Sequence, residues 1–168
     1  MDASPDPTTP PARILLVDAD GRVRRGLRAL IETQPDMEVV GEADSSAAAV
    51  ERARALHPSV IVLDLMLPTA QAGLATVRRV ARRKQVCVVT SWQGGLRDVA
   101  LAMGARGFLE KGESPACLLK VIRAAVQSAL LSRDPNGHPA QWREADGPCK
   151  PSSGPLPDTR TAGETAEL

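Results

Sequence analysis

Val60-Ile61-Val62-Leu63-Asp64-Leu65-Met66-Leu67-Pro68 is the stretch whose reading decides the fold. Four apolar residues, three of them β-branched, run without a polar break into one carboxylate. Such a run suits a strand buried on both faces, as a parallel sheet requires. An ionised carboxylate buried mid-strand would be costly, so Asp64 is expected at the strand's exit, in a loop that Pro68 closes. In open α/β sheets, ligands bind outside the carboxyl ends of the strands. Asp64 is therefore a candidate site residue, although a strand-end Asp that merely caps its turn would read the same way.

Working outward, residues 13–17 (Arg-Ile-Leu-Leu-Val) read as an earlier buried strand that ends at Asp18-Ala19-Asp20. Val23, Leu27, Leu30 and Ile31 then fall at i, i+4, i+7 and i+8, one face of a helix, with Arg22, Arg24, Arg25 and Arg28 outside. Pro35 ends this helix, and residues 37–40 form a short second strand. Asp44 or Ser45 can cap a second helix through residues 47–56, which Pro58 stops before the Asp64 strand. After Pro68 and Gly73, a third helix is expected to bury Leu74, Val77 and Ala81. Residues 86–89 form a fourth strand ending at Thr90-Ser91. A fourth helix carries Val99 and Met103 and ends at Gly104, a left-handed cap. Residues 107–109 make a short fifth strand, followed by Lys111. Ser114-Pro115 is a cap with proline at the first helical position, and Leu118, Ile122, Val126 and Ala129 stripe the last helix. This alternation predicts an α/β domain over residues 12–131, a doubly wound, five-stranded parallel sheet.

Residues 1–11, with four prolines, are expected to be a disordered leader, and residues 132–168, rich in Pro, Gly, Ser and Asp, a disordered tail. The 168-residue chain is 43% hydrophobic but only 2% aromatic, so its core must be Val, Leu, Ile and Ala. A net charge of +1 gives no mandate for nucleic acid or anionic membrane. Cys87, Cys117 and Cys149 are far apart and odd in number, so neither a disulfide framework nor a zinc site is indicated. That fits a reducing cytoplasm. No secretory signal and no membrane-length apolar stretch are present, and a cytoplasmic protein is expected.

Four strand ends line up along one edge of this sheet: Asp18/Asp20, Asp64, Thr90 and Lys111. Carboxylates from adjacent strand ends can hold Mg²⁺, a hard ion that takes oxygen ligands and keeps several waters. A hydroxyl and an ammonium can neutralise the remaining oxygens of a phosphoryl group. Each residue by itself is weak, since a strand-end Thr or Lys is usually a solvated loop residue. Together they favour phosphoryl chemistry.

Over about residues 12–131 the sequence resembles the receiver domain of bacterial two-component response regulators. The resemblance rests on Ile14-Leu15-Leu16-Val17-Asp18, Val62-Leu63-Asp64-Leu65-Met66-Leu67-Pro68, Val88-Val89-Thr90-Ser91 and Gly104-Ala105-Arg106-Gly107-Phe108-Leu109-Glu110-Lys111. Residues 24–30 and the Gly-Ala-Arg-Gly-aromatic stretch look like the branch that carries a LuxR-type helix-turn-helix. The resemblance implies a flavodoxin-like (βα)5 fold and no enzyme activity of its own. It implies that Asp64 takes a phosphoryl group from a sensor histidine kinase, and that Met66 offers a backbone carbonyl to Mg²⁺ held with Asp18 and Asp64. Thr90 would be the switch hydroxyl, Lys111 the phosphate partner, and Phe108 the aromatic that turns inward when Thr90 moves.

The sequence departs from the family in two places. The family shows two adjacent acids after the first strand, where this chain reads Asp18-Ala19; Asp20 could substitute as a metal ligand if its loop turns inward. No helix-turn-helix pattern follows Leu131, so a stand-alone receiver is expected, acting by contact with itself, a kinase or another regulator. The basic run Arg78-Arg79-Val80-Ala81-Arg82-Arg83-Lys84 lacks an aromatic platform, and direct DNA binding is not expected. One alternative is a pseudo-receiver that binds partners without phosphorylation. Another takes Asp18-Ala19-Asp20-Gly21 as the opening motif of a haloacid-dehalogenase-type phosphatase, with Asp18 as nucleophile and Asp20 as general acid. That reading leaves Asp64 unexplained and lacks a late acidic strand end. A nucleotide-binding flavodoxin-like protein would need a Gly-rich phosphate loop where this chain places acids.

Overall fold

The computed structural model describes residues 10–131. The proposed tail and all but the end of the proposed leader lie outside them. The elements, in order, are β1 (Ala12–Val17), α1 (Gly21–Glu32), β2 (Met37–Ala43), α2 (Ser46–Leu56), β3 (Val60–Asp64), α3 (Ala70–Ala81), β4 (Cys87–Ser91), α4 (Arg97–Ala102), β5 (Gly107–Glu110) and α5 (Pro115–Leu131). A 3-10 turn, Gly94–Leu96, leads into α4. All strand pairs are parallel, in the order β2-β1-β3-β4-β5. That is the flavodoxin-like order, with its switch point between β1 and β3.

The two-residue period of the strands sorts the core into two layers. Leu15, Val17, Ile61, Leu63, Cys87 and Val89 face one side, with Ala49 and Ala53 of α2, Val77 and Val80 of α3 and Ala100 of α4. Ile14, Leu16, Val60, Val62 and Val88 face the other, with Ile31 of α1 and Leu118 and Ile122 of α5. Helices on both faces leave β3 without an exposed residue, which is why its sequence is an unbroken apolar run.

Local chemistry sets the helix starts. The Ser45 hydroxyl accepts from the Ala48 N–H and the Thr69 hydroxyl from the Ala72 N–H, each satisfying an N–H that the first turn leaves free. Gly104 closes α4 at φ +105, the left-handed cap expected there.

Several expectations need correction. Gly73 does not precede α3 but lies within it, because its bare Cα faces the Leu65 backbone, where a Cβ would collide with the carbonyl. The buried face of α3 is accordingly Gly73, Thr76, Val77 and Val80, with Leu74 and Ala81 only partly covered. In α4 the buried residue is Ala100, whereas Val99 is 41% exposed; six residues make too short a helix to present the expected face. β2 runs to Ala43 because Gly41-Glu42-Ala43 pairs with Leu15-Leu16-Val17. The arginines of α1 are not one solvated face, since Arg24 and Arg28 both reach Glu42. Cys87 is free and buried, and burial pushes its thiol pKa up to about 12. Cys117 is disulfide-bonded, a cross-link the cysteine spacing did not indicate.

Candidate functional site

Sheet order brings the site together. β1 and β3 are neighbours, with Val17 opposite Leu63, so Asp18 and Asp64 leave the sheet side by side. Asp64 is paired in register with Thr90 of β4, and the Leu65 N–H donates to the Thr90 carbonyl. Lys111 follows β5 and is tied to β4 through its N–H on the Ser91 carbonyl. Asp18, Asp64 and Thr90 are all buried, at 3%, 7% and 6% exposure.

At the centre the Lys111 ammonium spans both carboxylates, 2.8 Å from Asp18 Oδ2 and 3.1 Å from Asp64 Oδ2. Burial disfavours the charged Lys111, but hydrogen bonds to Asp18 and Asp64 and their negative charge outweigh it and hold its pKa above the ordinary lysine value. The second oxygen of each carboxylate is also engaged. Asp18 Oδ1 accepts the Asp20 N–H at 2.8 Å, and Asp64 Oδ1 accepts the Met66 N–H at 3.3 Å. The loop after Asp64 is held from α2, where the Ser46 hydroxyl donates to the Leu67 carbonyl; the sequence pattern gave Ser46 no role there.

Asp20 is not brought into this cluster. Its carboxylate caps α1, accepting the Arg22 N–H at 2.8 Å, and pairs with the Arg22 guanidinium at 3.2 Å. The Arg22 side-chain hydrogen bond holds the Asp20 carboxyl below the usual carboxylate range. Among the described residues no three His, Cys, Asp or Glu side chains converge as a metal site. Asp18 and Asp64 nevertheless supply hard oxygen donors beside each other, and Mg²⁺ is commonly held by one or two carboxylates with waters and phosphate oxygens completing its shell. The residues present therefore fit a two-carboxylate Mg²⁺ site, with Ala19 adding nothing to it.

Phe108 lies opposite Val89 and is packed inward, at 4% exposure. Met66 is 36% exposed and Trp92, two residues beyond Thr90, is 72% exposed. The basic run at the end of α3 is solvent-facing, with Arg78, Arg79, Arg82, Arg83 and Lys84 all exposed. No helix among the described residues is long and apolar enough to cross a membrane.

The family model of the response regulator receiver domain matches residues 14–123. The chain is 38% identical over 126 residues to the nitrate/nitrite response regulator protein NarL of Escherichia coli, covering 72% of this chain and 57% of that protein. It is 33% identical over 131 residues to a protein-glutamate methylesterase/protein-glutamine glutaminase of Methanosarcina acetivorans, covering 74% of this chain and 37% of that protein. The chain thus spans about half the length, or less, of these curated relatives. Among solved structures, it resembles a LuxR-family two-component response regulator from Aurantimonas, with TM-score 0.65 and 33% identity over 70% of this chain and 86% of that one. It also resembles the receiver domain of the response regulator NarL from Mycobacterium tuberculosis, with TM-score 0.65 and 26% identity over 71% of this chain and 98% of that one. These matches do not favour the phosphatase or nucleotide-binding readings. This chain belongs to the response regulator receiver domain family of two-component signalling.

Proposed function

We propose that this receiver accepts a phosphoryl group on Asp64 from a histidine kinase and signals through altered protein contacts. The observation that carries this reading is the convergence of Asp18, Asp64 and Lys111 at one sheet edge, beside Thr90. In the transfer, an Asp64 carboxylate oxygen attacks phosphorus, an O–P bond forms, and the N–P bond to the kinase imidazole breaks. Lys111, already within 3.1 Å of Asp64, is placed to hydrogen-bond a phosphoryl oxygen. Asp18 and Asp64, with the Met66 carbonyl, would hold Mg²⁺, which when bound neutralises charge building on the transferred group. Asp20 stays with its helix cap, so the site works with one carboxylate fewer than an adjacent acid pair would supply.

The phosphorylated state adds negative charge next to Thr90. Thr90 moves to hydrogen-bond it, and the β4–α4 and β5 surface repacks around Phe108. A partner that binds that packing better shifts the population toward it. A kinase, a second copy of the chain and another regulator are the partner classes this surface would serve.

The direct experiment is transfer of labelled phosphoryl from a phosphorylated histidine kinase domain. Label should appear on the parent protein and be absent from Asp64→Asn. Equal labelling of Asp64→Asn would remove Asp64 from the role.

A further inference from the structure

We propose that Arg24 is the positioning residue of the acidic loop, holding its backbone so that the Asp18 carboxylate stays at the sheet edge. The inference rests on the phosphoacceptor reading above only for what the carboxylate is held to do. Arg24 sits on α1, with its side chain 19% exposed. One face of its guanidinium fork points at the loop: Nη1 donates to the Asp18 carbonyl at 2.6 Å and reaches the Ala19 carbonyl at 3.4 Å. The other arm is anchored on β2, with Nε donating to Glu42 Oε2 at 3.0 Å.

Glu42 is itself fixed, since its second oxygen accepts Arg28 Nε at 2.7 Å, and Arg28 is further tied to Glu32. These bonds hold the Glu42 carboxyl below its ordinary range, first through Arg28 and then through Arg24 against the cost of burial. A planar fork with several fixed donors can span these acceptors at once; a lysine ammonium cannot.

The loop needs such a holder. The Ala19 side chain has no polar atom to tether the loop, and the Asp20 carboxylate is turned to α1. Both backbone groups of Asp18 are held: its N–H donates to the Ala43 carbonyl of β2 at 3.1 Å, and its carbonyl accepts from Arg24 of α1. With the backbone fixed, the carboxylate meets the Asp20 N–H on one oxygen and Lys111 on the other. Groups that orient a ligating carboxylate typically change metal affinity by about 10–100-fold when removed.

The test uses Arg24→Met and Arg24→Lys, with Arg28→Met as the control that shares Glu42 but does not touch the loop. Amide exchange of the Asp20 N–H, followed by NMR without metal, reads the loop directly. Calorimetric titration with MgCl₂ reads the carboxylate's use. Both Arg24 variants should exchange the Asp20 amide faster and bind Mg²⁺ about tenfold more weakly, while Arg28→Met stays near the parent in both. Parent-like exchange in folded Arg24→Lys would overturn the proposal. So would an Arg28→Met variant that loses as much as Arg24→Met, which would make the effect one of general stability. A parent protein that binds no Mg²⁺ would count against the metal reading itself, and the exchange result would still decide the role of Arg24.

Discussion

Lys111 reaches across 93 residues of sequence to place its Nζ 2.8 Å from Asp18 Oδ2. The same ammonium lies 3.1 Å from Asp64, so one cation stands between two carboxylates that would otherwise face each other in a buried edge. Their mutual repulsion is held down by a side chain that the phosphoacceptor assignment also needs for chemistry.

Removing that ammonium should therefore affect stability and transfer together. Lys111→Met is expected to unfold about 1–3 kcal/mol more easily, because it leaves hydrogen-bonded buried charge unpaired. Added Mg²⁺ should recover part of the loss, since an ion that binds only the folded state stabilises it by mass action. Thermal melts with and without MgCl₂ check both; an unchanged Tm without metal would show that the two carboxylates do not depend on Lys111.

A second ion pair, remote from the site, gives a pH prediction. Arg123 of α5 clamps Asp36 before β2 with two bonds, Nε at 2.7 Å and Nη2 at 2.9 Å. The Arg123 hydrogen bond holds the Asp36 carboxyl below its ordinary value, against the opposing effect of burial. Its folded pKa being lower than its unfolded one, the unfolded chain takes up the proton first as pH falls. The contribution is complete above the unfolded carboxylate range and is lost as pH falls through the folded pKa. Both side chains are partly exposed, at 40% and 29%, so screening limits Asp36→Asn to about 1 kcal/mol of destabilisation at neutral pH. Urea melts should show that difference near pH 7 and its progressive loss as the pH falls below the ordinary carboxylate range. A difference that persists undiminished in acid would contradict the pair's role.

Gly73 supplies a packing test close to Asp64. In an open helix, Gly→Ala would stabilise by about 1 kcal/mol. Here the new Cβ meets the Leu65 carbonyl just after β3, and Gly73→Ala is expected to destabilise by about 1–3 kcal/mol through overpacking. Denaturant melts decide the sign.

Much of this was legible in the sequence because parallel strands buried on both faces have to be written as apolar runs. Residues 60–63 and 14–17 could take few other forms, and each ends where the sheet ends, which places Asp18 and Asp64 without further information. What the sequence hid were the relations between distant polar groups. Arg24 and Arg28 read as solvated because their acceptor, Glu42, lies on another element and is itself polar in an edge strand. Gly73 read as a break because the residue that excludes its side chain, Leu65, belongs to the preceding loop. Asp20 read as a substitute ligand because its spacing from Asp18 says nothing about competition from a helix N-terminus, which claimed its carboxylate.

That competition predicts the effect of restoring an acid at residue 19. Ala19→Asp adds a carboxylate beside Asp18 without disturbing the Asp20 cap, and Mg²⁺ affinity should rise by about tenfold or more. Asp20→Ser, which keeps a capping hydroxyl, should leave Mg²⁺ affinity close to the parent's. A large loss in Asp20→Ser would show that Asp20 does serve the ion.

The phosphoacceptor assignment is tested most directly by the intact mass of the purified protein after incubation with acetyl phosphate and MgCl₂. It predicts a single phosphoryl adduct on the parent, lost in Asp64→Asn and increased in Ala19→Asp. No adduct on a folded parent with Mg²⁺ in excess, or an adduct that survives in Asp64→Asn, would contradict it.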